Sequence, residues 1–269
     1  NTRLDKLGGK GLFAKEIEIK IMNEEVDIGL HSMKDMPATL NNHFSIACWL
    51  PRADPHDILI TRSGQTLDEL KPGSTIGTSS IRRRSQILQL RKDLNIRALR
   101  GNIDTRIKKL HDGLYDAIIL SKAGLDRLEL NDLKSSILEY KFFLPAACQG
   151  TIGAEIKKSN ERVAHILKPL TDSNTEICCL AERKVLQVIH ANCNTPIGVL
   201  ATIDNEKINL QVKVYNHDGV CIYRKNQSGM IANINHIASS IGNDIINNLG
   251  QKLIDGLDKL DDFDYTPSR

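Results

Sequence analysis

One carboxylate, two arginine-bearing turns and one loop thiol are the parts of this chain that could do chemistry together. Asp35 stands in His31-Ser32-Met33-Lys34-Asp35-Met36-Pro37, directly after the apolar run 26–30. Strand ends are where open α/β sheets place their ligand crevices. A lone carboxylate there can move a proton or face a developing positive charge. By itself a carboxylate just before proline reads as a turn or cap residue, and His31 and Lys34 read as a satisfied histidine and a solvated lysine. The run Thr78-Ser79-Ser80-Ile81-Arg82-Arg83 follows an expected strand at 74–78 and opens an expected helix. Backbone N–H groups, hydroxyls and guanidinium groups can converge there on one anion. Leu99-Arg100-Gly101-Asn102 repeats the arrangement at the next strand end.

Cys193 lies in Asn192-Cys193-Asn194-Thr195-Pro196-Ile197-Gly198. A loop thiol is commonly a bystander, yet a loop is also where a reactive one would sit; no protease-like Cys/His/Asn signature surrounds it. Lys6-Leu7-Gly8-Gly9-Lys10-Gly11 lacks the GxxxxGK[ST] spacing and has no visible preceding strand, so it reads as a flexible basic loop. The other cysteines, Cys48, Cys148, Cys178, Cys179 and Cys221, form no CxxC pair, and Cys178 and Cys179 are too close for an ordinary disulfide. With eight scattered histidines no metal is expected, and a reducing, cytoplasmic setting fits best.

Charge narrows the ligand. The chain carries +3 formally, but residues 71–110 hold eleven Lys and Arg against Asp93 and Asp104, a local +9. Seven of the eleven are arginines, which favour planar, bidentate partners such as carboxylates and phosphates. A basic helix face in solvent would look similar on charge alone. No aromatic residue falls within 71–110, so a base-stacking platform is missing and a small polyanion is expected rather than nucleic acid.

These groups need elements to hold them. A length of 269 residues suggests about two or three domains. The apolar content of 41% is that of a globular chain, and no run approaches 18 apolar residues, so no membrane span is expected. Up to about residue 170 helical periodicity alternates with short apolar runs. Helices are expected at 12–24, 80–91 and 103–112, and strands at 26–30, 58–61, 74–78, 94–99 and 116–121. That pattern is an α/β region with parallel strands. Pro51-Arg52-Ala53-Asp54-Pro55 marks a crossing between lobes. Beyond about 172 a helix at 175–190, alternating strands at 197–203, 208–215 and 220–225, and one long helix at 234–257 predict a small α+β domain.

Six motifs in register resemble one family. KLGGKGLF (6–13), HSMKDMP (31–37), GTSSIRR (77–83), LRGN (99–102), AGLDRL (123–128) and CNTPIG (193–198) are similar in order and spacing to hydroxymethylbilane synthase, also called porphobilinogen deaminase. The resemblance spans about 190 residues. It implies an α/β protein with two lobes like those of type II periplasmic binding proteins plus a small C-terminal α+β domain. Domain 1 would be residues 1–52 with 149–168, domain 2, the arginine-rich lobe, 56–144, and domain 3 residues 172–269. An upstream strand and helix are expected before Asn1.

The family likeness also implies roles. Cys193 would hold a covalent dipyrromethane cofactor through a thioether, and Asp35 would assist loss of ammonia from porphobilinogen and oppose positive charge on pyrrole nitrogens. Lys10, Ser80, Arg82, Arg83, Arg100, Asn102 and Arg106 would contact the cofactor, and Lys6, Arg100, Arg106 and Arg127 the substrate. Four porphobilinogen units would be joined to a linear tetrapyrrole by a cytoplasmic monomer with no nucleic-acid or membrane partner. The contrasting reading is a non-catalytic two-lobe binding protein for a small polycarboxylate, which leaves Cys193 and the third domain without a use. Relative to the family pattern, Ala191 and Asn192 replace two glycines, and Cys148 stands where glycine is common.

Overall fold

The computed structural model describes residues 11–130, 132–192 and 194–257. The first layer begins with α1 (Gly11–Met22), which turns Ala14 and Ile21 into the interior. It packs on β1 (Gly29–Ser32), where a Cβ on Gly29 would lie 2.5 Å from Ile17, so only glycine permits the approach. β2 (Phe44–Trp49) follows, and β8 (Ile152–Lys157) returns between β1 and β2, antiparallel to both.

Residues 50–56 carry the chain out of that sheet into β3 (Asp57–Thr61). A five-stranded sheet follows, in which β4 (Thr75–Gly77), β5 (Asn95–Arg97), β6 (Ala117–Ser121) and β7 (Ser135–Leu138) take the order β5-β4-β6-β3-β7. Among the described strands only β5-β4-β6 are parallel. β3 runs antiparallel to β6 and β7, and both neighbours of β8 in the first sheet are antiparallel. The expectation of parallel strands therefore holds for the β5-β4-β6 core alone, because an apolar run signals burial and not direction. Helices α2 (Ile81–Leu90), α3 (Ile103–His111) and α4 (Lys122–Arg127) follow β4, β5 and β6. The strands separate two apolar cores, Leu59, Ile76, Ile87 and Ile119 on one face and Ile58, Ile60, Leu110 and Ile118 on the other.

The return crossing lies alongside the outward one. Ala53 N donates to Gly150 O at 3.2 Å, and Gly150, at φ 90°, leaves no room for a Cβ, which would stand 2.3 Å from Ala53 O. After α5 (Glu161–Leu167), α6 (Ser173–Val188) begins the C-terminal unit. In that unit β9 (Ile197–Asp204), β10 (Lys207–Tyr215) and β11 (Cys221–Met230) form an antiparallel meander under α6 and α7 (Ile234–Leu249). The single helix expected over 234–257 is broken: Gly250 at φ 77° separates α7 from α8 (Gln251–Leu257). Among the described residues no helix is long and apolar enough to cross a membrane. The chain is thus mixed α/β with a small α+β unit at its C-terminal end.

Candidate active site

The ends of four strands, β1, β4, β5 and β6, meet at one place. At the end of β1 a 3-10 turn, Met33–Asp35, is pinned by Met33, which is fully buried; its sulfur would lie 2.3 Å from a Cβ on Gly153. From behind, α6 braces the same segment. Arg183 Nη2 donates to Pro37 O at 2.6 Å and Ala38 O at 3.0 Å, and Gln187 Nε2 donates to Ala38 O at 2.8 Å. Held this way, Asp35 is presented to solvent.

The two arginine-bearing turns are tied together. Ser79 Oγ donates to Leu99 O at 2.7 Å and accepts from Leu99 N at 3.1 Å. Ser80 caps α2 by accepting from Arg83 N at 3.4 Å, and Asn102 Oδ1 caps α3 by accepting from Thr105 N at 2.9 Å. Gly101 takes φ 115°, and Arg106 folds back so that its Nε donates to Gly101 O at 2.8 Å.

Lys34, Arg83, Asn102, Arg106 and Ser121 line a cleft of about 190 Å³, floored by Leu120. Lys34 Nζ lies 3.5 Å from Ser121 Oγ at the end of β6. Burial, with the charges of Arg83 and Arg82, pushes the Lys34 ammonium down to about 8 against the opposing pull of Asp35 and Asp57. Burial and Arg83 likewise lower Arg106, and Asp35 counters them. Asp35 is thus close enough to act electrostatically on both cations. A guanidinium pair, an ammonium and an amide form a donor set for carboxylates.

The other residues singled out from the sequence fall in several places. Arg82 and Arg83 are 5% and 7% exposed and share Asp57, with Arg82 Nη1 at 2.7 Å from Oδ2 and Arg83 Nη2 at 2.6 Å from Oδ1. Burial alone would raise the Asp57 carboxyl; the two guanidinium groups overcome it and hold the group well below the usual carboxylate range. Arg127 Nη2 donates to Gly150 O at 2.6 Å, across to the return crossing. Half-buried Arg100 offers its carbonyl to Lys109 Nζ at 3.0 Å. Lys6, Lys10 and Cys193 lie outside the described residues.

The segment flanking Cys193 is described. Asn192 N donates to Thr195 Oγ1 at 3.0 Å and Asn194 N to Asn192 Oδ1 at 2.7 Å, a tight turn between α6 and β9. Among the described residues of this loop the left-handed backbone conformation falls on His190, at φ 53°, so Ala191 and Asn192 in place of glycines meet no such demand. Cys148 does adopt φ 58°, a left-handed conformation that glycine would take without strain.

Sequence reasoning took His31 as a satisfied histidine, and it is one: buried, with Nε2 2.9 Å from Glu155 Oε2. Lys34, read as solvated, instead lines the cleft. Asp57 was missed, although a carboxylate heading an otherwise apolar run was a visible signal.

Residues 1–165 match the family model described as "Porphobilinogen deaminase, dipyromethane cofactor binding domain" and residues 176–249 that of "Porphobilinogen deaminase, C-terminal domain". Porphobilinogen deaminase of Brevibacillus brevis is 43% identical over 230 residues, 85% of this chain and 74% of the relative. That of Syntrophobacter fumaroxidans is 39% identical over 252 residues, 94% and 82% of the two chains. Among solved structures, a probable amino-acid ABC transporter extracellular-binding protein from Bacillus subtilis is 13% identical, covering 64% of this chain and 75% of that chain, with a TM-score of 0.38. With both family models matched in order over most of its length, the chain belongs to the porphobilinogen deaminase family.

Proposed function

We propose that Asp35 is the catalytic carboxylate of this transferase, a hydroxymethylbilane synthase that condenses four porphobilinogen molecules with release of ammonia, and that the cations beside it hold the side-chain carboxylates of the ligands. The observation that carries the reading is the convergence of Lys34, Arg83, Asn102 and Arg106 on one cleft, with Asp35 acting on two of those cations. Arg82, which shares Asp57 with Arg83, is proposed as a further carboxylate contact. Arg100 and Ser80 lie on the two turns beside the cleft and are proposed to take part with these cations, and Arg127 is proposed as a substrate contact. Lys6 and Lys10 are proposed as further carboxylate contacts, and Cys193 as the point of covalent attachment.

In this reading the bidentate guanidinium groups fix the pyrrole periphery. Asp35 then stands as the negative group facing the reacting centre: as the C–N bond of the protonated aminomethyl group of porphobilinogen breaks and ammonia leaves with the bonding pair, the carboxylate opposes the positive charge left on the pyrrole nitrogen. When bound, dipyrromethane supplies the nucleophilic pyrrole carbon that starts the chain; the donor set of the cleft suits its row of carboxylates. We assign domain 1 to residues 1–52 and 149–168, domain 2 to 56–144 and domain 3 to 172–269, in a cytoplasmic monomer.

The deciding experiment is an intact mass of the purified protein with a colorimetric test for pyrroles, compared with Cys193→Ala. An adduct of dipyrromethane size that is absent from the variant supports the reading. An adduct that persists in Cys193→Ala moves the attachment elsewhere. A parent chain that stays unmodified after incubation with porphobilinogen overturns the cofactor assignment.

A further inference from the structure

Asp57 heads β3, is 1% exposed, and accepts four hydrogen bonds. Arg82 Nη1 reaches Oδ2 at 2.7 Å, while Arg83 Nε at 3.0 Å, Arg83 Nη2 at 2.6 Å and Gln149 Nε2 at 3.0 Å all reach Oδ1. Each arginine has a second anchor: Arg82 Nη1 donates to Leu144 O at 2.6 Å and Arg83 Nη1 to Ile119 O at 2.9 Å. A long side chain fixed at two points has lost its rotamer freedom before a ligand arrives, so less ordering remains to oppose binding. Gln149 extends the same carboxylate to the return crossing, since its Nε2 also donates to Pro55 O at 2.7 Å.

We infer that Asp57 is a positioning residue for the condensation: a buried carboxylate that presets the paired guanidinium groups of Arg82 and Arg83 and balances the charge of the cleft that Arg83 lines. The inference rests on the proposed use of these arginines and Lys34 as carboxylate ligands. Lys34 is faced by Asp35 on its own turn, Arg82 and Arg83 on α2, Asp57 on β3 and Ser121 on β6, with Arg106 of α3 lining the same cleft. Removing the Asp57 charge leaves Asp35 as the one anion among these groups. The proton of Lys34 is then held more weakly, so ligand binding that needs the ammonium fails at a lower pH than in the parent.

The test compares Asp57→Asn, Asp57→Glu and Arg83→Ala. Lys34 is titrated by NMR of methylated lysines on chains not yet incubated with porphobilinogen, its signal identified by loss in Lys34→Arg. Dipyrromethane loading is then followed by mass, and kcat and KM are measured across pH. In Asp57→Asn the Lys34 titration and the alkaline limb of activity are expected to move to lower pH, with KM raised roughly tenfold. Asp57→Glu keeps the charge and shifts the geometry, so the titration returns to the parent position while KM stays raised.

Folded Asp57→Asn with parental Lys34 titration, loading and KM overturns the inference. If Asp57→Asn does not fold, Asp57→Glu decides, and a parental KM in it overturns the inference. Arg83→Ala separates the two layers. Parental loading and KM in Arg83→Ala would sink the ligand assignment itself, whereas impaired Arg83→Ala beside parental Asp57 variants would sink only the role given to Asp57.

Discussion

Arg52 and Glu182 form a two-point ion pair across 130 residues of sequence, Nη1 to Oε1 at 2.7 Å and Nη2 to Oε2 at 3.2 Å. Glu182 is fully buried and also accepts from the backbone N–H groups of Cys148 and Ala201. One carboxylate thus joins the outward crossing, the return crossing and the C-terminal sheet. Removing one partner of a buried pair strands the other, which costs about 3–5 kcal/mol. Glu182→Ala is therefore expected to lower the urea midpoint by that equivalent. The residual folded protein should keep Lys34 titrating near its parental position, because the pair is absent from the groups that act on that lysine.

Asp35 is in the opposite situation. It is exposed and its turn is held by Met33 and by Arg183 from behind, so its carboxylate is not what keeps the turn in place. Asp35→Asn is expected to leave the urea midpoint within about 0.5 kcal/mol of the parent and to lower single-turnover condensation by about 10²–10³-fold. Asp35→Glu, which keeps the charge, should recover part of the rate. Asparagine with parental single-turnover kinetics would refute the assignment.

The contrast between those two carboxylates also marks what the sequence made legible. Residues that act where they stand were readable. Asp35 at a strand end, the turns of Ser80 and Asn102 at the next strand ends, and the buried runs of β3 and β6 all follow from local type and spacing. Relations between distant residues were not. Nothing local tells that Arg82 and Arg83 close on Asp57, 25 and 26 residues earlier, or that Lys34 meets Ser121, 87 residues later. β8 was missed because its buried Glu155, paired through Oε2 with His31 from β1, interrupts the apolar pattern. β7 was missed because it is an edge strand with exposed Ser135 and Ile137. The break at Gly250 was hidden because apolar periodicity continues on both sides of it.

Gly150 makes a conformational prediction. Its φ of 90° is unfavourable for any side chain, and a Cβ would stand 2.3 Å from Ala53 O, a backbone atom that cannot rotate away. Gly150→Ala should destabilise the chain by about 3 kcal/mol. It should also disturb Arg127, whose Nη2 uses the Gly150 carbonyl. The check is a thermal or urea transition alongside KM for porphobilinogen, and a stability within 0.5 kcal/mol of the parent would contradict the geometry.

Lys34 ties stability and binding to pH with opposite signs. In the unfolded chain its amine titrates near the ordinary 10.5, and in the folded chain near 8. Between those values the unfolded state binds more protons, so this residue makes stability rise with pH across the window and contributes no slope below it. Carboxylate binding behaves the other way. The ammonium is the paired form, and its loss above about 8 weakens the ligand's hold; a bound carboxylate favours the proton, which moves this limb upward in the loaded protein. The difference between the parent and Lys34→Met cancels the other groups that titrate in this range. The urea midpoint of the parent should rise relative to that of Lys34→Met as pH rises from 8 to 10.5. Affinities for porphobilinogen should converge over the same interval. A flat difference in both measurements would show that Lys34 keeps its ordinary proton affinity and takes no part in holding the ligand.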